Sequence, residues 1–288
     1  EETDMKTGAI IAKKLANAEL VLNMDGGGGV LNEKTGQPEY LNWDGAEKTY
    51  ADFKLSVTNP GGHSSEPRKS NAINELAAAL VRIGGYRFKP EVSDITRAYF
   101  TAAAKYQGDA KTAAAMRAFA ANPADKSAIE TLAANPAMVG KIGTTCVATM
   151  LSGGHALNAL PQRARANINC RIFPGTSVED VRKTLETVAG DPAIKVTIRD
   201  VRNAASPAPP LDAKVIDPAV KLSKTMFPGV PNLLIMQAGA TDGAFLTPAG
   251  IPTYGISGMF VDSDGNGIHG LNERIKVKTL MDGRDYLY

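Results

Sequence analysis

The chain has 288 residues, 43% hydrophobic and 22% charged, with 32 basic side chains against 30 acidic ones. That length and composition indicate a globular protein of about two domains and exclude disordered and fibrous classes. A net charge of +2 supplies no field for nucleic acid or an anionic membrane, and no apolar run approaches a membrane span, so neither is expected as a partner. Cys146 and Cys170 are too few for a disulfide framework. The compartment stays open, cytoplasmic or exported.

Along the chain, Ile10, Ile11, Leu15 and Ala18 give residues 8–19 a helical face. Leu20 to Met24 reads as a short strand, stopped by Asp25 and the glycines Gly26 to Gly29. With a strand before Glu1, this would be a β-α-β unit whose crossover brings Glu1, Glu2 and Asp25 to the carboxyl edge of one parallel sheet. Phe53, Leu55 and Val57 alternate as a strand that ends at Asn59-Pro60-Gly61-Gly62. A helix from Asn71 to about Ile83 carries Ile73, Leu76, Leu80 and Ile83 on one face. Residues 91–140 are Ala-rich and helical in propensity, and read as an insertion. A strand over 164–172, a helix from Ser177 and a strand over 194–198 complete a two-layer α+β block. The linker 204–210 leads back to α/β, with a helix over 213–226 and a strand over 251–256. The expected architecture is an α/β metal-binding domain, incomplete here, formed by 1–50 and 204–288. It is interrupted by an α+β two-layer lid over 51–203.

Chemistry has few carriers. His63 and His269 lie in Gly-flanked polar loops, and His155 reads as a surface residue. The glycines after Asp25 lack the Lys-Ser/Thr ending of a phosphate loop, so nucleotide binding is not supported. Asp262-Ser263-Asp264-Gly265-Asn266-Gly267, with Glu273 following, fits a calcium loop in spacing, yet the segment before it is strand-like. The acids and His269 alternatively form one transition-metal site. Imidazole with carboxylates and no thiolate suits zinc, or cobalt or manganese in its place.

Six segments occur in a telling order: Glu1-Glu2-Thr3, Met24-Asp25-Gly26-Gly27, Asn59-Pro60-Gly61-Gly62-His63-Ser64-Ser65, Asn158-Ala159-Leu160-Pro161, Gly239-Ala240-Thr241-Asp242-Gly243 and Ile268-His269-Gly270-Leu271-Asn272-Glu273-Arg274-Ile275. Together they resemble the zinc-dependent carboxypeptidase and aminoacylase family, which includes glutamate carboxypeptidase, succinyl-diaminopimelate desuccinylase and carboxypeptidase S. The resemblance implies a hydrolase that releases a C-terminal amino acid from a peptide or N-acyl amino acid, with two zinc ions in the complete protein. It implies Glu1 as general base and Glu2, Asp25 and His269 as metal ligands. His63 would stabilise the oxyanion in a partner subunit's site, through a lid that forms a homodimer. Asn158, Arg171 and Thr241 would bind substrate. The family's first metal-binding histidine and bridging aspartate lie before the Glu-Glu pair. The chain is therefore expected to be N-terminally truncated and inactive alone. A non-catalytic dimerisation fragment and a calcium-loop protein through 262–273 are the rival readings.

Overall fold

The computed structural model describes residues 6–201, 212–237, 239, 241–262, 264–268 and 270–288. Glu1, Glu2, His269 and the 204–210 linker lie outside the described residues. The chain begins with α1 (Lys6–Lys14), β1 (Val21–Asn23), β2 (Gly28–Leu31), β3 (Pro38–Glu47), β4 (Thr49–Thr58) and β5 (Gly62–His63). Then come the helices α2 (Ala72–Gly85), α3 (Asp94–Ala103), α4 (Ala110–Ala121), α5 (Lys126–Ala133) and α6 (Pro136–Val139). Next are β6 (Thr145–Gly153), β7 (Ala159–Leu160), β8 (Arg163–Ile172), α7 (Val178–Ala189) and β9 (Lys195–Val201). The last part holds α8 (Ala213–Met226), β10 (Asn232–Gln237), α9 (Gly243–Leu246), β11 (Thr253–Gly255), β12 (Phe260–Val261) and α10 (Val277–Leu287).

The chain divides into two compact units: Glu1–Glu47 with Val92–Ile142 and Pro207–Tyr288, and Lys48–Glu91 with Gly143–Ser206. The Ala-rich helices expected as part of the lid therefore group with the first unit. The reason is packing: Phe100, Met116, Phe119 and Leu132 share one core with Leu233 of β10.

The first unit is built on a six-stranded sheet in the order β1-β11-β3-β2-β12, with β10 paired to β3. The sheet is mixed rather than parallel, because the β2–β3 hairpin enters it antiparallel. On β3, Leu41 and Trp43 face the core of Phe227, Phe260 and Tyr286. Tyr40 packs against the core of the inserted helices. The strand alternation thus separates two buried layers.

The second unit is a two-layer α+β sandwich. Its antiparallel sheet runs β6-β8-β4-β9, with Phe53, Leu55 and Val57 of β4 in the core beside Ile168 and Ile172 of β8. Asn71 caps α2 by accepting from the backbone N–H groups of Ile73 and Asn74, and Ser177 caps α7 by accepting from Asp180 N. The buried stripe of α2 is Ala72, Leu76, Ala79 and Ile83, with Leu80 packed partly buried against the same core, so Leu76, Leu80 and Ile83 fall where expected and Ile73 does not. Ile73 is 43% exposed. Ala72 and Ala79 let this helix lie close to the sheet, Ala72 in the place expected of the larger Ile73. Cys146 on β6 and Cys170 on β8 face each other in register and form a disulfide.

Candidate active site

In the first unit, the carboxyl end of β1 lies level with Asp44 of β3 across β11: Asn23 pairs with Gly255, and Gly255 with Asp44. Asn23, the last residue of β1, turns the chain: its Oδ1 accepts from Asp25 N at 3.0 Å, leaving the Asp25 side chain exposed. The glycines that follow have a steric purpose. Gly27 has φ +73°, and a Cβ there would stand 2.8 Å from Gly255 O and 2.9 Å from Ile256 Cα. With no side chain in the way, Gly27 N donates to Asp44 Oδ2 at 2.7 Å.

Asp44 sits on β3 at 4% exposure. Its Oδ2 also accepts from Gln237 Nε2 at 3.4 Å, while Oδ1 is buried without a hydrogen-bond partner among the described residues. Burial pushes this carboxyl up to about 6, and the charge of Asp25 adds to the rise while that of Lys141 opposes it. Glu47, at the end of β3, is also raised, first by burial and then by Asp44 and Asp25. Three carboxylates thus gather here: Asp25 makes both buried ones harder to ionise, and Asp44 does the same to Glu47.

Thr241, expected to bind substrate, is 7% exposed and its hydroxyl is fully committed. It donates to Glu47 Oε1 and accepts from Asn23 Nδ2 at 2.8 Å and from Gly243 N at 3.1 Å. Its backbone N–H holds the other Glu47 oxygen at 3.2 Å. In this structure the residue fixes the edge.

In the second unit, β5 and β7 form a two-stranded ribbon that pairs His63 with Ala159. Ser64 N donates to Asn158 O at 3.0 Å. His63 and Asn158, 95 positions apart, are thereby brought together, both exposed. Ser65 holds the His63 ring through Nδ1, with its N–H at 3.2 Å and its Oγ at 2.7 Å. Arg171 is elsewhere. It lies at the far end of β8, about 27 Å along the strand from the ribbon end at 3.3–3.4 Å per residue, with its guanidinium 4.6 Å from the Tyr50 ring centroid.

The calcium-loop reading does not survive. The element before the loop is the strand β12, where the mechanism requires a helix. The loop's acids are already neutralised: Asp264 by Arg274 at 2.5 Å and Asp262 by Lys276 at 2.5 Å.

Of the expected metal ligands, only Asp25 is among the described residues, which contain no group of three His, Cys, Asp or Glu side chains placed to hold a metal ion. The chemistry of the donors still fits a divalent cation. Asp25 is an exposed carboxylate beside two buried ones, and the charge that accumulates there is of the sign a cation relieves. Asp44, Glu47 and Lys141 were not singled out in the sequence. The strand that carries the two acids was not read in the sequence either, and no pattern marks an acid as buried.

Residues 45–197, just over half the chain, match the peptidase dimerisation domain of the M20 family. The chain belongs to the M20 peptidase family. Its M20 relatives include "Probable carboxypeptidase S-like 2" of Dictyostelium discoideum, 26% identical over 246 residues, covering 84% of this chain and 46% of that protein. The "N-fatty-acyl-amino acid synthase/hydrolase PM20D1" of Homo sapiens is 26% identical over 242 residues, covering 81% and 47%. The chain therefore spans about half the length of the curated relatives it matches. Among solved structures, the M20 family metallo-carboxypeptidase Sso-CP2 from Sulfolobus solfataricus superposes with a TM-score of 0.63 at 18% identity, covering 96% of this chain and 64% of that one. Human carnosine dipeptidase 1 gives 0.59 at 14%, covering 96% and 60%. These likenesses establish an M20 fold: an α/β domain with an α+β dimerisation domain set into it.

Proposed function

We propose that the whole protein is a divalent-metal hydrolase of amide bonds that releases a C-terminal amino acid from a peptide or an N-acyl amino acid. The observation that carries this reading is the sheet edge where Asp25, Asp44 and Glu47 accumulate negative charge in a chain of the M20 family. Asp25, with Glu2 and His269, would hold the metal, zinc in the first instance and cobalt or manganese as substitutes, with two ions in the complete protein. Bound there, the metal lowers the pKa of water and polarises the scissile carbonyl.

The chain's own groups do the rest. Glu1 takes a proton from the attacking water and delivers it to the leaving amine. His63 donates from its ring to the developing oxyanion, and Ser65 holds that ring through Nδ1. Asn158, beside it, donates to the substrate carbonyl region. Arg171 offers a planar fork to the terminal carboxylate. Ribbon and Arg171 stand at opposite ends of β8, too far apart for one dipeptide. The reading is therefore that the protein works as a homodimer, each lid serving two substrates.

The edge strand β6 supports that assembly, with Met150 at 62% and Leu151 at 67% exposure beside an unpaired backbone. The same edge favours the second reading, a dimerisation module without catalysis. Replacing Glu1→Gln in the whole protein separates the two. Turnover should fall at least about 1,000-fold while metal content, measured by mass spectrometry, is unchanged. Full activity in that variant would remove Glu1 from the mechanism, and no turnover in the parent protein would favour the module.

A further inference from the structure

A cavity of about 560 Å³ opens in the first unit between the inserted helices and the face of β3 and β10. Its size is that of a small-molecule site. Its polar lining includes Tyr40, Asn42, Tyr99 and Lys141, with Glu39, Tyr106 and Gln107 also on the wall, and its apolar lining includes Met116, Met138, Leu233 and Ile235.

Three features make it a receptor rather than a gap. The Lys141 side chain is half-buried, and among the described residues its ammonium meets no carboxylate at ion-pair distance; its neighbour is the Tyr99 ring, 5.0 Å from Nζ to the centroid. Neither the Tyr40 nor the Tyr99 hydroxyl has a hydrogen-bond partner among the described residues. Asn42 Oδ1 is buried and unpartnered as well. Left without partners, such groups cost stability, and a ligand that supplies the missing partners recovers it.

We propose that this cavity binds a monocarboxylate with an apolar body. The carboxylate would lie between Lys141 and the two phenols, with its body on Met116, Met138, Leu233 and Ile235. One charged donor and two neutral ones suit one negative charge. A phosphate or a dicarboxylate is disfavoured, because Asp44 lies in the field of Lys141 and Glu39 stands at the cavity wall, with its own carboxylate accepting from Asn32 Nδ2 at 2.6 Å. The inserted helices make this site: α3 contributes Tyr99, and Lys141 follows directly on α6. The proposal is independent of the hydrolase reading, since it needs neither metal nor turnover.

The test uses the 288-residue chain, with octanoate and its uncharged counterpart octanamide as probes in calorimetric titration. Octanoate should bind at least about tenfold more tightly than octanamide. Lys141→Met should abolish that preference, and Lys141→Arg should keep most of it. With ¹³C-methyl methionine, the resonances of Met116 and Met138 among the nine methionines should be the ones that move. Equal affinity for the two probes, a preference that survives Lys141→Met, shifts confined to other methionines, or no binding at millimolar octanoate would each overturn the proposal. Circular dichroism establishes that the variants fold, and the comparison of the two probes on the unmodified chain needs no variant.

Discussion

Replacing Asp44 by Asn isolates the cost of keeping an ionised carboxylate beneath the glycine turn. Burial holds this carboxyl at about 6 against its usual 3.8. Between those values the folded chain binds a proton that the unfolded chain has released. The stability contributed by the protonated form is therefore complete below about pH 4 and is lost as the pH rises through about 6, a decline of about 3 kcal/mol. Asp44→Asn keeps the shape and an acceptor for Gly27 N, and removes the titration. Urea unfolding followed through Trp43, the chain's single tryptophan and a neighbour of Asp44 on β3, gives the unfolding free energy from about pH 4 to about pH 8. The unmodified chain should lose about 3 kcal/mol more than the variant across that range. Common contributions from other acids cancel in the difference, apart from the small part of the Glu47 rise that Asp44 itself causes. Curves that run parallel within about 0.5 kcal/mol would refute the assignment of a buried, ionising Asp44.

Two further outcomes follow from the same structure. Thr241→Val removes the hydroxyl shared by Glu47, Asn23 and Gly243 and should cost about 2–3 kcal/mol, with Thr241→Ser recovering most of it; a loss below about 0.5 kcal/mol in urea unfolding would deny the hydroxyl its structural role. Reducing the disulfide, whose cysteines are 24 positions apart, should cost about 3 kcal/mol, and an unchanged urea midpoint after thiol titration has verified complete reduction would contradict this.

The lid was the legible part of the sequence. Its helices begin at strong caps, Asn71 and Ser177, and Phe53, Leu55 and Val57 alternate cleanly because one face of β4 is buried. The strand β6 was not read, since Val147, Met150 and Leu151 are apolar yet exposed, on both faces of the strand, and hide the alternation. In the first unit, the glycines after Asp25 were visible as a turn, but their purpose lay in Asp44, 17 positions from Gly27. Thr241 was visible as part of a motif, and its commitment to Glu47 was not. Periodicity reports which residues are buried on average. It does not report which polar groups face one another across a sheet.

The domain boundary teaches a related point. The sequence placed it at residue 50, and the chain crosses between units at Glu47 and Lys48. No proline or glycine marks the crossing. Glu47 is tied to Thr241, while Lys48 is fully buried and donates to Gly143 O at 2.6 Å. At the ends of the inserted stretch, Glu91 accepts from the hydroxyls of Thr144 and Thr176, the first at 3.0 Å. Residues 91 and 144 are thereby adjacent, so the lid closes on itself where the helices leave and return. A closed doorway of this kind lets a long insertion depart without disturbing the sheet it interrupts. Covalent order then makes 92–142 an insertion in the lid, as the sequence indicates, while packing assigns it to the other unit. There Phe100 and Phe119 find Leu233, and Tyr99 and Lys141 reach the face of β3, where the cavity forms. The stretch buries its apolar residues against a sheet face of the first unit.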